Sequence, residues 1–345
     1  MGTSALALSS KIIFNNNVLA NMFSYLLEIS VIFMFLLYFL KFIIHIFEKK
    51  DLVENLKNPI KSNLYSAIPI AAALISLMLV NIGLPYLNEY AIIVSIFFWS
   101  ISLLFSLIFV VLVPINLKFR SKVEQVSGTW LLPPVGLFVL ITAGSTLALR
   151  ADFISTPILI INLFLFGPAF ILYLLTLTLV YFRSKFYELS QEKVTPTFNI
   201  VLAPVAVSIL AIITTSKALL KYDVLGFSNS FLGVSKIYSV IMFGYGIWIL
   251  FGLLSLYYRI INEKKKIPFS ELWWAFIFPT GAFTLATANL YVFVINFSFV
   301  KLLYYLLYFV LLVVWLYVLV KQSLIYFTNK QKIVGKYFSK KVKHA

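Results

Sequence analysis

The residues best placed to do chemistry in this chain carry no charge. Pro69, the pair Pro133 and Pro134, Pro204 and Pro279 recur at intervals of roughly 65 to 75 residues, and each is followed by small and hydroxylated side chains. Ala71, Ala72, Ala73 and Ser76 follow the first. Gly136, Thr142, Ala143, Gly144, Ser145 and Thr146 follow the second, with Phe138 among them. Ala206, Ser208, Ala211, Thr214, Thr215 and Ser216 follow the third, and Gly281, Thr284, Ala286, Thr287, Ala288 and Asn289 the fourth. A proline inside a helix removes a hydrogen bond and clashes with the carbonyl a turn earlier, bending the helix and freeing an acceptor. Hydroxyls, small side chains and freed backbone groups can replace part of a small solute's hydration shell without holding it tightly. Weak binding of that kind suits passage.

Other chemistries lack their residues. The chain has no Cys, which excludes disulfides, thiolate metal sites and cysteine nucleophiles. Its two histidines, His45 and His344, lie at the end of an apolar stretch and at the carboxyl terminus, a poor basis for zinc. Only 12 acidic residues occur, most of them between apolar stretches, and no Gly-rich phosphate loop or nucleophile constellation appears. The expectation is therefore no enzyme, no cofactor and no metal.

The elements that must position these residues are membrane spans. Hydrophobic residues make up 62% of the 345 and charged ones 12%, a balance that leaves a water-soluble chain without a polar coat. Spans of about 20 apolar residues read as Met22 to Phe47, Leu64 to Asn81, Tyr90 to Val113, Leu131 to Leu149, Pro157 to Phe182, Phe198 to Leu219, Phe231 to Tyr258, Glu271 to Ile295 and Val300 to Phe327. Met1 to Phe14 is apolar but short and lacks the basic start of a signal peptide. It reads as the second half of a tenth span, either because the true start lies upstream or because this helix is short.

The net charge of +16 points to topology and not to nucleic acid. Twenty of the 28 Lys and Arg fall in alternate connections and the tail, whereas the intervening loops hold Arg150, Lys221 and Lys301. By the positive-inside rule the basic loops, the carboxyl terminus and, with ten spans, the amino terminus face the cytoplasm of a cell-membrane protein. Residues 1–327 read as one transmembrane transport domain and 328–345 as a basic cytoplasmic tail that anchors to anionic lipid.

The prolines fall in every second span. A bent helix needs neighbours or water to satisfy its freed groups in lipid, which places these spans inside, around a central pore. The alternate spans carry bulky runs such as Ile96-Phe97-Phe98-Trp99, suited to a lipid-facing layer. Small residues also permit close helix packing, so any one helix alone would not require a pore. The fold expected is all-α: about ten transmembrane helices in five hairpins, the odd ones inside.

The segment Glu271-Leu272-Trp273-Trp274-Ala275-Phe276-Ile277-Phe278-Pro279-Thr280-Gly281 resembles the ninth helix of the tellurite-resistance/dicarboxylate transporter family, which includes the slow-type plant anion channels. Met1-Gly2-Thr3 is similar to that family's first-helix Gly-Thr-Gly element, although Ser4 replaces its second glycine. Pro133-Pro134-Val135 and Ala203-Pro204-Val205 are similar to its fifth and seventh helices. The resemblance implies five hairpins with odd helices lining the pore, a homotrimer with one pore per subunit, and occlusion by the phenylalanine directly before the ninth-helix proline, here Phe278. It also implies small anions as substrates, among them malate and other C4-dicarboxylates, sulfite, chloride and nitrate, with tellurite resistance elsewhere in the family. A fold does not choose among these, nor between channel and proton-coupled transporter.

On this reading Phe278 and Pro279 form the gate. Gly2, Thr3, Pro69, Ser76, Pro134, Phe138, Thr142, Pro204, Ser208, Thr215, Thr284 and Thr287 line the path. Arg150 and Lys217 stand at the outer ends of two inner helices, where cations raise the local anion concentration or simply snorkel to the interface. Glu28 lies several residues into a span. A membrane carboxylate faces a partner, water or a proton path, and position alone leaves these open.

Overall fold

In lipid the backbone finds no solvent partner, so long apolar runs close their hydrogen bonds internally as helices. The computed structural model describes residues 1–14, 17–47, 54–117, 122–187, 192–263 and 267–342. Much of the basic-loop reading, at 48–53, 118–121, 188–191, 264–266 and 343–345, lies outside the described residues.

Among the described residues there is no strand, and ten principal helices follow in order. They are α1 (Gly2–Ile13), α2 (Val18–Phe47), α3 (Ala67–Met78), α4 (Glu89–Leu117), α5 (Leu132–Ala148), α6 (Ser155–Phe186), α7 (Leu202–Tyr222), α8 (Ser228–Asn262), α9 (Trp274–Phe293) and α10 (Ser298–Val342). Helix α3 continues through a turn of π-helix, Leu79–Gly83, into a last short turn, Leu84–Leu87. Nine helical stretches among the described residues are long and apolar enough to cross a membrane. The 12 residues of α1 reach about 18 Å at the α-helical rise, short of the roughly 30 Å of a hydrocarbon core. Helix α10 carries on into the basic tail as far as Val342.

Consecutive helices pair as hairpins: α1 with α2, α3 with α4, α5 with α6, α7 with α8, α9 with α10. The odd helices then pack in a closed ring, α1 to α3 to α5 to α7 to α9 and back to α1. Each even helix also touches the next odd one, so α2 meets α3 and α10 meets α1. Burial follows this order. In the spans containing α3, α5, α7 and α9, 67% to 94% of the residues in the most apolar stretch are buried, against 17% to 33% for α2, α4, α6, α8 and α10.

The ring closes where side chains are absent. A Cβ at Gly281 of α9 would stand 2.5 Å from Ala5 Cβ of α1, and one at Gly2 would stand 2.7 Å from Ile277. Small residues thus let α1 and α9 approach backbone to backbone, the means by which helices associate in lipid. Outer helices reach in to carbonyls of the inner ones: Ser102 Oγ donates to Pro69 O (2.8 Å), Trp99 Nε1 to Leu140 O (3.3 Å) and Asn162 Nδ2 to Ile141 O (3.1 Å).

The prolines act differently from the kinks expected of them. Pro69, Pro133, Pro134 and Pro204 fall within the first three residues of α3, α5 and α7. There the N–H would have no helical acceptor, so proline removes no bond and starts the helix. Among the periodic prolines only Pro279 stands inside a continuous α-helix, as Pro168 does in α6. Before α3 comes a short helix, Pro59–Leu64, capped by Asn58, whose side chain accepts from the N–H groups of Ile60 and Lys61. Before α5, α7 and α9 come 3-10 segments, Gly128–Leu131, Glu192–Val201 and Glu271–Trp273. These four pack in succession across one end of the bundle.

Candidate functional site

A small chamber lies where the five odd helices converge. Its walls are Ala5 from α1, Leu74 and Leu77 from α3, Val139 and Thr142 from α5, Val207 and Leu210 from α7, and Phe278, Ala282 and Leu285 from α9. The paired residues stand three apart on each helix, the spacing that puts two side chains on one face. Helices α7 and α9 share a register, because Val207 and Leu210 follow Pro204 by the same steps as Ala282 and Leu285 follow Pro279.

The lining is apolar but for Thr142, whose hydroxyl donates to Phe138 O at 2.8 Å. The other hydroxyls read from the sequence turn elsewhere. Ser76 meets Ser95 of α4 at 2.7 Å, and Thr215 meets Ser145 of α5 at 2.7 Å, where Asn162 of α6 also donates to Ser145 at 3.0 Å. Ser208, Thr284 and Thr287 donate to carbonyls of their own helices, Val205 O, Thr280 O and Phe283 O. Thr3 accepts from Trp315 Nε1 at 3.1 Å, Gly2 lies on Ile277, and Phe138 meets the rings of Phe166 and Tyr173 edge-on. A bond inside the helix or to a neighbouring helix satisfies these hydroxyls where no water reaches.

Of the chamber's walls, Phe278 and Thr142 were legible in the sequence. The eight others are aliphatic residues that composition alone cannot separate from core. Their signal is positional: pairs three apart, repeated at similar distances after each proline.

Phe278 differs from its aromatic neighbours by where it points. Trp273 packs on Phe269, Phe276 and Tyr317 and donates Nε1 to Pro268 O at 3.1 Å. Phe276 meets Tyr257 of α8, and Trp274 donates to Gln322 of α10. These rings tie α9 to the outer layer. Phe278 is 5% exposed and forms a wall of the chamber, next to the proline that leaves its turn one hydrogen bond short. In α7 the matching position is the small Ala203.

The odd helices run parallel, so their positive dipole ends all face the end where the 3-10 segments gather. Arg150, exposed, and Lys217, half-buried, stand at the opposite end. Lys217 Nζ donates to Asn289 Oδ1 at 3.2 Å and lies over the Phe293 ring, bridging α7 to α9. Nearby, Lys221 pairs with Asp152 at 3.0 Å. Among the described residues no group of three or more His, Cys, Asp or Glu stands ready to hold a metal ion.

Comparison with known proteins agrees with this architecture. A family model described as Voltage-dependent anion channel matches residues 1–322. An uncharacterized transporter of Methanocaldococcus jannaschii is 28% identical over 284 residues, 80% of this chain and 76% of its own length. A second from the same organism is 28% identical over 332 residues, 93% of this chain and 91% of its own. A sulfite efflux pump of Arthroderma benhamiae is 26% identical over 246 residues, 68% of this chain and 64% of the pump.

Proposed function

Since this chain belongs to the voltage-dependent anion channel family, as its ninth-helix motif suggested, we propose that it passes small anions down their gradient through the chamber between α1, α3, α5, α7 and α9. The observation that carries this reading is that all five inner helices contribute side chains to one chamber with, among the described residues, no ionised group in its walls. Such a wall repels no anion by charge and binds none tightly, which leaves wetting and width to set the rate. Phe278 is the gate. Its ring is one wall of the chamber, and the turn weakened by Pro279 lets it swing aside.

Sulfite is the first substrate to test, because fungal relatives are sulfite efflux pumps. Malate, chloride and nitrate follow from the family resemblance. The chain works as a transporter and not as an enzyme, with the basic connections on the cytoplasmic side of the cell membrane, and it assembles as a homotrimer with one path per subunit. Arg150 and Lys217 raise the anion concentration at the outer mouth.

Proton-coupled export is the second reading, favoured by the naming of those relatives as pumps. Purified protein in liposomes separates the two. With sulfite, malate, nitrate and chloride offered in turn, a channel brings the permeant ionic form to the same final level with or without a pH gradient, once the pH-dependent protonation of sulfite and malate is allowed for. Uphill accumulation driven by the gradient would replace the channel by the coupled transporter, and the absence of flux for all four anions would remove both.

A further inference from the structure

Glu28 stands on α2, inside the first hairpin, and is 1% exposed. Among the described residues neither of its carboxyl oxygens has a hydrogen-bond partner. The side chain lies on Gly83, the last residue of the π-helical turn in α3: a Cβ there would come within 3.0 Å of Oε1 and 3.6 Å of Oε2. A π turn inserts one extra residue into a helix and is frequent at functional sites. Leu77, two residues before this turn, and Leu74, one turn earlier, are walls of the chamber.

Among the described residues no hydrogen bond or ion pair reaches the carboxyl. On α1, Lys11 is committed to Asn21 Oδ1 at 3.0 Å, and Asn21 lies two turns before Glu28. On the same helix, α1, the Ser4 hydroxyl is buried and, among the described residues, also without a partner. Between Ala67 and Gly83, α3 and its π turn hold no ionisable residue. Beyond it, Tyr86 stacks on Tyr25 at 4.4 Å, and Glu89 and Tyr90 at the start of α4 are exposed. An isolated carboxylate in such surroundings costs several kcal/mol.

We propose that Glu28 is a proton-binding site that controls anion passage: protonated, it seals α2 against the π turn of α3, and ionised, it parts them. Hydration of the carboxylate then opens the contact at Gly83, the π turn shifts, and Leu74 and Leu77 withdraw from the chamber. The proton is a control and not a passenger, because Glu28 is absent from the chamber walls. This rests on the channel reading above, and flux rises with pH.

The test uses chloride, whose charge is independent of pH, in liposomes held at equal pH on both sides. Wild-type flux rises several-fold from acid to alkaline pH. Glu28→Gln stays at the low acid-limit value throughout, and Glu28→Asp keeps a pH-dependent rise with a displaced midpoint. Infrared difference spectra of wild type minus Glu28→Gln at neutral pH show a carboxylic-acid C=O stretch. A Glu28→Gln profile parallel to wild type, or a difference spectrum holding only carboxylate bands, overturns the proposal. Absence of any anion flux defeats the channel reading and the control of flux with it, while the infrared band still decides the proton site.

Discussion

Phe278→Ala raises the resting anion conductance of the reconstituted protein by about 10- to 100-fold, which corresponds to a barrier lower by about 1.4 to 2.7 kcal/mol. Among the described residues the ring is the one aromatic wall of a chamber otherwise built from Ala, Val, Leu and one Thr. Its removal widens the apolar constriction, and a wider constriction wets more readily. The same variant separates a gate from a core residue. Truncating a fully packed Phe costs about 3 to 5 kcal/mol of stability because its cavity stays empty. Phe278 faces the chamber, so its loss yields a protein that keeps most of its thermal stability and conducts more. Single-channel recording with a parallel melting curve reads both quantities. An unchanged current with a large fall in melting temperature would assign Phe278 to packing.

The second large effect falls on folding. Gly128→Ala places a Cβ 1.8 Å from the carbonyl oxygen of Thr197 and 2.6 Å from its carbon. Both atoms are backbone, so no rotamer relieves the clash, and the 3-10 segments before α5 and α7 must separate. The cost lies at or above the top of the ~1 to 3 kcal/mol usual for overpacking. The expected result is loss of the monodisperse peak in size-exclusion chromatography. Gly167→Ala on α6, where nothing lies within 4 Å of the added Cβ, is the control and leaves the peak intact. Equal behaviour of the two variants would mean that the two segments can part freely.

Much of the architecture could be read before the structure, and the reasons are particular. The recurrence of Pro69, Pro134, Pro204 and Pro279 separated inner from outer helices because small and hydroxylated residues follow each of them, whereas the outer helices carry bulky runs. Pro279 does stand inside its helix, but Pro69, Pro134 and Pro204 were misread as bends, since sequence does not show where the first helical turn starts. Their position at that turn also explains why they are tolerated so near the axis. The chamber walls stayed hidden for another reason. In the α5 span 94% of the most apolar stretch is buried, so no polar face distinguishes the side toward the axis from the side toward α6. Ser145 and Thr215 looked like pore hydroxyls, yet a hydroxyl in a dry bundle finds its partner in the next helix, as these two do. Glu28 was visible as an oddity, but its isolation from every partner depends on α3 folding a π turn against it. The Trp273-to-Gly281 motif was the most specific signal, and its rings divide between outer anchors and the single inward Phe278.

The central claim is that the axis of the five odd helices is the route of the anion. The chain contains no cysteine, so one introduced thiol reports on one place. In the Phe278→Ala background, Leu285→Cys puts a thiol in the chamber wall, and Leu302→Cys puts one on the exposed face of α10. Flux through liposomes is measured before and after a small methanethiosulfonate reagent, with labelling verified by mass spectrometry. Complete modification of the chamber thiol abolishes anion flux, and modification at position 302 leaves it unchanged. Undiminished flux through a fully labelled Leu285→Cys protein would contradict the account and put the anion's path elsewhere.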